Sequence, residues 1–176
     1  MSFERKPIRL AAESYIGPKT YFLTVCTDRH RSMFSSARTV EVVLNCLMES
    51  LRDGGFSIPA YCFMPDYLHI LVEGFHLDSD VLKSMKLFKQ VSAYRYKRQT
   101  GGGLWQSHYY DHILRGDESW HAVAWYIWNN PVRKGLCRTA REWPFSGSLV
   151  FDWLLFVPPQ ETWCPPWKQS QGTEHA

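Results

Sequence analysis

Tyr61-Cys62-Phe63-Met64-Pro65-Asp66-Tyr67-Leu68-His69-Ile70-Leu71-Val72-Glu73-Gly74 is the stretch that decides the fold. Two apolar runs flank a Pro-Asp turn signal, so the segment reads as a hairpin of two buried strands, Ser57 to Met64 and Leu68 to Val72. Along the second strand Tyr67 and His69 are two residues apart and share a face. A buried sheet face is a poor place for an imidazole unless it is paired or binds something. That pair is the first candidate for chemistry.

Working outward, Tyr21 to Thr27 is rich in aromatic and β-branched residues and predicts a strand. Val40, Val43, Leu44, Leu47, Met48 and Leu51 recur at helical spacing, and Gly54-Gly55 ends that helix. Beyond the hairpin, Asp78-Ser79-Asp80 supplies caps for a helix running to about Gln99. Its apolar side carries Val81, Leu82, Met85, Phe88, Val91 and Ser92, and Gly101-Gly102-Gly103 breaks it. Leu104-Trp105 and then Tyr109 to Leu114 predict a further strand. Ser119 caps a short helix, His121 to Asn129, which Pro131 ends. The order β-α-β-β-α-β-α implies an α+β, ferredoxin-like fold, with a mainly antiparallel central sheet and its helices segregated on one face. Residues 1–147 read as a single domain. Residues 148–176 read as an irregular tail rich in Pro and Trp, its Trp153, Trp163 and Trp167 either loose or folded back over the sheet.

A chain of 176 residues, 45% apolar and 15% aromatic, is long and apolar enough for one core and excludes a disordered class. The formal charge of +3 is too small to establish a polyanionic partner, so the placement of charge matters more than its sum. Five cysteines form no close pair and read as small buried hydrophobes in a reducing compartment. The first ten residues are charged, and no long apolar run follows. Neither secretion nor membrane insertion is expected, and the cytoplasm is the expected location.

A second constellation lies in the short last helix, where Tyr126 and Asn130 are four apart and share a face. Asn129-Asn130-Pro131 is also a natural helix stop. A phenol and an amide one turn apart, facing a sheet that carries His69, suggest a nucleophile beside a metal ligand. Tyrosine has an ordinary pKa of about 10, so the phenol needs a bound cation or a base to attack near neutrality.

Taken together, the ordered segments resemble the single-tyrosine HUH transposases, specifically the REP-associated tyrosine transposases of bacteria. The segments are Tyr21-Phe22-Leu23-Thr24, the hairpin from Tyr61 to His69, Leu87-Phe88-Lys89-Gln90, Leu104-Trp105-Gln106, Tyr109-Tyr110-Asp111-His112, Tyr126 to Leu136 and Trp143-Pro144-Phe145-Ser146. The resemblance implies Tyr126 as nucleophile, with His69 and Asn130 as ligands of Mg2+ or Mn2+. It also implies attack on single-stranded DNA beside a hairpin of repeated palindromes, leaving a 5′-phosphotyrosine link and a free 3′-hydroxyl. The family carries His-hydrophobic-His on the hairpin strand, whereas here the first position is Tyr67, a degenerate ligand. A neutral phenol is a weak donor to a hard dication. Asp66 and His112 are the candidates to compensate. The alternative is a catalytically impaired DNA-binding or regulatory protein. Lys83, Lys86, Lys89, Arg95, Lys97, Arg133 and Lys134, with Arg29 and Arg31, are candidates for phosphate contacts. Tyr94, Tyr96, Tyr109 and Tyr110 are candidates for stacking on unpaired bases. When bound to DNA the protein is expected on the nucleoid, as a monomer or a homodimer.

Overall fold

The computed structural model describes residues 10–169; what the sequence suggests for residues 1–9 and 170–176 falls outside them. The expected hairpin forms as β2 (Phe56–Met64) and β3 (Tyr67–Gly74), paired antiparallel from Met64 opposite Tyr67 and joined by Pro65-Asp66 alone. Its tip is tied down: the Asp66 carbonyl accepts from the Thr27 amide and hydroxyl, each at 2.9 Å, and the Pro65 carbonyl from the Phe34 amide. β1 (Thr20–Cys26) pairs antiparallel with β3, setting Thr24 opposite His69 and Phe22 opposite Leu71. β4 (Tyr110–Ile113) lines the outer side of β1, and a two-residue β5 (Ser146–Gly147) lines β2. The sheet order is β4-β1-β3-β2-β5, antiparallel throughout. The ferredoxin-like, α+β expectation holds.

The helices differ from expectation in one respect, because they cover both faces. α1 (Ala37–Asp53) and α2 (Val81–Thr100) pack together on one face, where Val40, Val43, Leu47, Met85 and Phe88 meet Leu68, Ile70 and Val72. α3 (Trp120–Trp128) packs on the other, where Val123, Ile127 and Trp128 meet Phe22, Cys62 and Leu71. Both sets of alternate residues on β3 are apolar, so both faces need cover. The apolar run carried this information, and a single layer of helices does not satisfy it.

Helix ends follow their sequence signals. Asp80 accepts from the Lys83 amide at the start of α2, and Gly101, at φ 78, donates to the Lys97 carbonyl at its end. The left-handed conformation there suits glycine, which has no Cβ to clash. Ser119 caps α3 through the Ala122 amide. α3 stops at Trp128, and Asn130–Arg133 forms a separate single turn, α4. Tyr126 and Asn130 therefore do not share one continuous helix, since Pro131 lacks the amide that would extend it. The strand expected from Leu104 is shorter too, Trp105 making only an isolated bridge to Thr27.

The segment after residue 148 folds back on the α3 face. Phe151, Trp153, Phe156, Trp163 and Trp167 pack against the core that α3 forms with the sheet, and a last turn, α5 (Pro166–Gln169), follows. Cys26, Cys46 and Cys62 are buried thiols, as their apolar surroundings in sequence suggest. No helix among the described residues is long and apolar enough to cross a membrane.

Phe88 is fully buried between α2 and the sheet and touches Trp105 ring to ring. Phe88→Ala is expected to cost about 3–5 kcal/mol, the usual range for emptying an aromatic site in a core. Urea denaturation followed by circular dichroism checks this.

Candidate active site

The alternation of β3 turns Tyr67 and His69 to the face that carries α3, and their rings are 4.8 Å apart. From above, α3 lowers Tyr126 to within 6.1 Å of the His69 ring, centroid to centroid. Both groups line one cavity of about 250 Å³, with Thr24, Cys26, His30, Asp66, Tyr67, Tyr110, Lys134, Trp167 and Lys168. The four residues that the sequence singled out are thus brought together: the α4 turn places the Asn130 amide nitrogen 2.7 Å from the Tyr67 hydroxyl, to which it donates.

His69 is 6% exposed, and its Nδ1 shares a 2.8 Å hydrogen bond with the Thr24 hydroxyl. Nε2 is the nitrogen left for a ligand. Burial, reinforced by the Lys168, Arg133 and Lys134 charges, pushes its pKa down to about 3, so the imidazole is neutral at all ordinary pH. Burial pushes the Tyr67 phenol up to about 12, against the lowering effect of the Asn130 bond. It too is neutral.

Around Tyr126 the charges are positive. Lys168 from α5 donates to its hydroxyl at 2.9 Å, and the Arg133 guanidinium lies 3.8 Å from its ring centroid. Arg133 donates as well to the Tyr126 carbonyl at 2.9 Å and to the Asn130 side-chain oxygen at 3.2 Å. Trp163 packs edge-on against Tyr126 and is held by an indole bond to Glu118 at 2.7 Å. Lys168 and Trp163 come from the irregular tail. No periodicity marks them, and the basic and aromatic composition near the end of the chain is their only trace in the sequence. Thr24, by contrast, follows from strand pairing once the register is known.

The dication implied by the resemblance finds a poor donor set here. Among the described residues, no three or more His, Cys, Asp or Glu side chains stand together as a metal ligand group. The Asn130 oxygen already faces a guanidinium, and the Tyr67 hydroxyl is protonated and accepts from Asn130. Of the two candidate substitutes, His112 sits on β4 and bonds Glu118 at 2.8 Å. Asp66 does line the cavity, but it faces His30 at 3.4 Å. His30 and its neighbour Arg29 hold left-handed backbone at φ 52 and 54, a costly conformation for residues with a side chain.

The basic residues expected to grip DNA divide between the two faces. Arg133 and Lys134 stand at the site. α2, with Lys83, Lys86, Lys89, Arg95 and Lys97, packs on the opposite side of the sheet. Lys89 is occupied with the Gln106 and Ser107 carbonyls, and Arg95 with Glu49. Tyr110 belongs to the site face, stacked on Trp167, whereas Tyr109 belongs to the α1 and α2 core.

The antiparallel ferredoxin-like sheet thus sets a helix-borne phenol over a strand-borne imidazole on one face. The sequence model described as "Transposase IS200 like" matches residues 19–130, from the lead into β1 to Asn130, and the chain belongs to that family. It is similar to the REP-associated tyrosine transposase of Escherichia coli (strain K12), at 26% identity over 135 residues, spanning 75% of this chain and 78% of that one. A solved structure of a REP-associated tyrosine transposase bound to a REP hairpin superposes with a TM-score of 0.67. It is 23% identical and covers 80% of this chain and 81% of its own, which shows the shared fold. The likeness to REP-associated tyrosine transposases read from the residues therefore holds.

The His69 shift carries a pH consequence. Its folded pKa lies below the unfolded value of 6.5, so between those limits the unfolded chain binds more protons. Stability is expected to fall as pH drops from 6.5 towards 3. The His69→Gln variant should show a shallower decline, measured by urea midpoints at pH 7 and pH 5.

Proposed function

We propose that this protein acts on single-stranded DNA folded into hairpins of repeated palindromes, and that Tyr126 is its nucleophile. The observation that carries the reading is the meeting of the Tyr126 phenol and the His69 imidazole over one cavity on one face of the sheet. Arg133, Lys134 and Lys168 give that cavity positive charge, the chemistry a polyanion seeks. In the reaction the Tyr126 Oη–phosphorus bond forms and the bond from phosphorus to the 3′-oxygen breaks. The phenolic proton ends, through water, on the departing 3′-oxygen. The products are a 5′-phosphotyrosine link and a 3′-hydroxyl. The Lys168 ammonium donates to the Tyr126 hydroxyl at 2.9 Å, close to the oxygen that would attack. The buried thiols fit a reducing cytoplasm, where the protein would be held on the nucleoid.

A binding protein that grips such hairpins without cutting is the second reading. It is favoured by Tyr67 in place of a metal-ligating histidine and by the Trp163 and Lys168 contacts that already occupy the Tyr126 side chain.

Incubation with hairpin oligonucleotides, followed by denaturing electrophoresis, is expected to reveal a covalent protein–DNA adduct that Tyr126→Phe abolishes. An adduct surviving in that variant would move the nucleophile elsewhere. Hairpin binding without any adduct would favour the second reading. Lys134→Gln should weaken hairpin binding for all sequences alike and lower the slope of log affinity against log salt by about 1.

A further inference from the structure

We propose that this chain seats a DNA phosphodiester directly on Arg133, Lys134 and Lys168, which take the place of a divalent cation, and that Tyr67 withdraws Asn130 from the ligand set. The proposal rests on the reading of Tyr126 as the group that attacks that phosphate.

The first support is the state of Asn130. It is 1% exposed, its nitrogen is fixed on the Tyr67 hydroxyl and its oxygen on the Arg133 guanidinium. An amide oxygen that accepts from a cation is turned towards positive charge already present, and a dication at the same point would be repelled by it. The guanidinium, a donor only, fixes which end of the amide it faces, and the Tyr67 hydroxyl holds the other end by accepting from the amide nitrogen. Asn130 is thus a positioning residue for Arg133.

The second support is the arrangement of the three cations. Lys168 reaches the oxygen that would attack, Arg133 stands over the ring that bears it, and Lys134 lines the cavity. These are the positions from which fixed charge can offset the negative charge that builds on the phosphoryl oxygens as the new bond forms. Guanidinium is suited to it by geometry, since its planar fork matches two phosphate oxygens. The one carboxylate that lines the cavity, Asp66, faces His30 rather than the cluster.

The third support is the field itself. Lys134 and Lys168 line the cavity and Arg133 adjoins it, and these charges act on a dication there with twice the strength they would exert on a single charge. Anions gain what cations lose.

The test uses the full chain and two probes. Inorganic phosphate is titrated in EDTA while tryptophan fluorescence is followed, since Trp163 lies against Tyr126 and Trp167 lines the cavity. Mn2+ is titrated separately and read by electron paramagnetic resonance. Phosphate is expected to bind in EDTA, and binding is expected to fall by about tenfold or more in the variant carrying Lys134→Gln and Lys168→Gln, both at exposed positions. Native protein is expected to take up no Mn2+ in the micromolar range, whereas Tyr67→His combined with Lys168→Gln is expected to take up more. Micromolar Mn2+ binding by the native chain, or phosphate binding that appears only with Mn2+, overturns the proposal. With a hairpin oligonucleotide, adduct in EDTA supports it. Adduct only with Mn2+ overturns it while leaving Tyr126 as nucleophile. Phosphate binding without adduct in either condition keeps the anion seat and removes the cleavage reading.

Discussion

Everything at the site depends on the two-residue alternation of β3, a strand covered on both faces. Leu68, Ile70 and Val72 close the core beneath α1 and α2, and this commits Tyr67, His69 and Leu71 to the other side. A slip of one residue would bury the phenol and the imidazole among the aliphatic side chains of α1 and α2. The pairing of β1 prevents such a slip, because Thr24 is opposite His69 and bonds it, while Phe22 fits over Leu71. Core packing therefore fixes which face carries the imidazole and the phenol, and Tyr126 is itself part of the core on that face.

The hairpin, α1 and α2 were legible because each carries one strong local signal: a Pro-Asp turn, an apolar repeat, a cap or a glycine stop. His69 and Tyr126 were legible through spacing and family likeness together. Their meeting on one side of the sheet was expected too, from the joint pattern and the likeness rather than from any local signal, since nothing local tells a strand which helix will cover which face. α3 was found but its end was misjudged: Asn129-Asn130-Pro131 allows a helix to stop and restart, and the restart sets the Asn130 amide against Tyr67. Lys168 and Trp163 lay beyond any pattern. They reach the site through a proline-interrupted tail whose course depends on aromatic contacts with Phe22, Tyr126 and Trp128.

Electrostatics separates the two faces of the sheet. On the α2 side two of the basic groups have ordinary structural partners: Lys89 holds two loop carbonyls and Arg95 a glutamate. On the α3 side Arg133, Lys134 and Lys168 converge on a buried imidazole whose proton affinity they depress. Basic residues that look alike in the sequence thus differ in surroundings, and nearness to a buried neutral ring is what distinguishes the second set. The family match spans residues 19–130, and Arg133, Lys134 and Lys168 lie beyond it.

Arg133 adds a side-chain bond to the backbone cap that Asn129 gives α3, holding the Tyr126 carbonyl with the same guanidinium that covers the Tyr126 ring. Late carbonyls of a helix lack partners within it and must find them elsewhere. An anion that draws this guanidinium forward also tugs on the peptide from which the phenol hangs. Seating of an anion and placement of the phenol are then one mechanical act, transmitted through a single side chain.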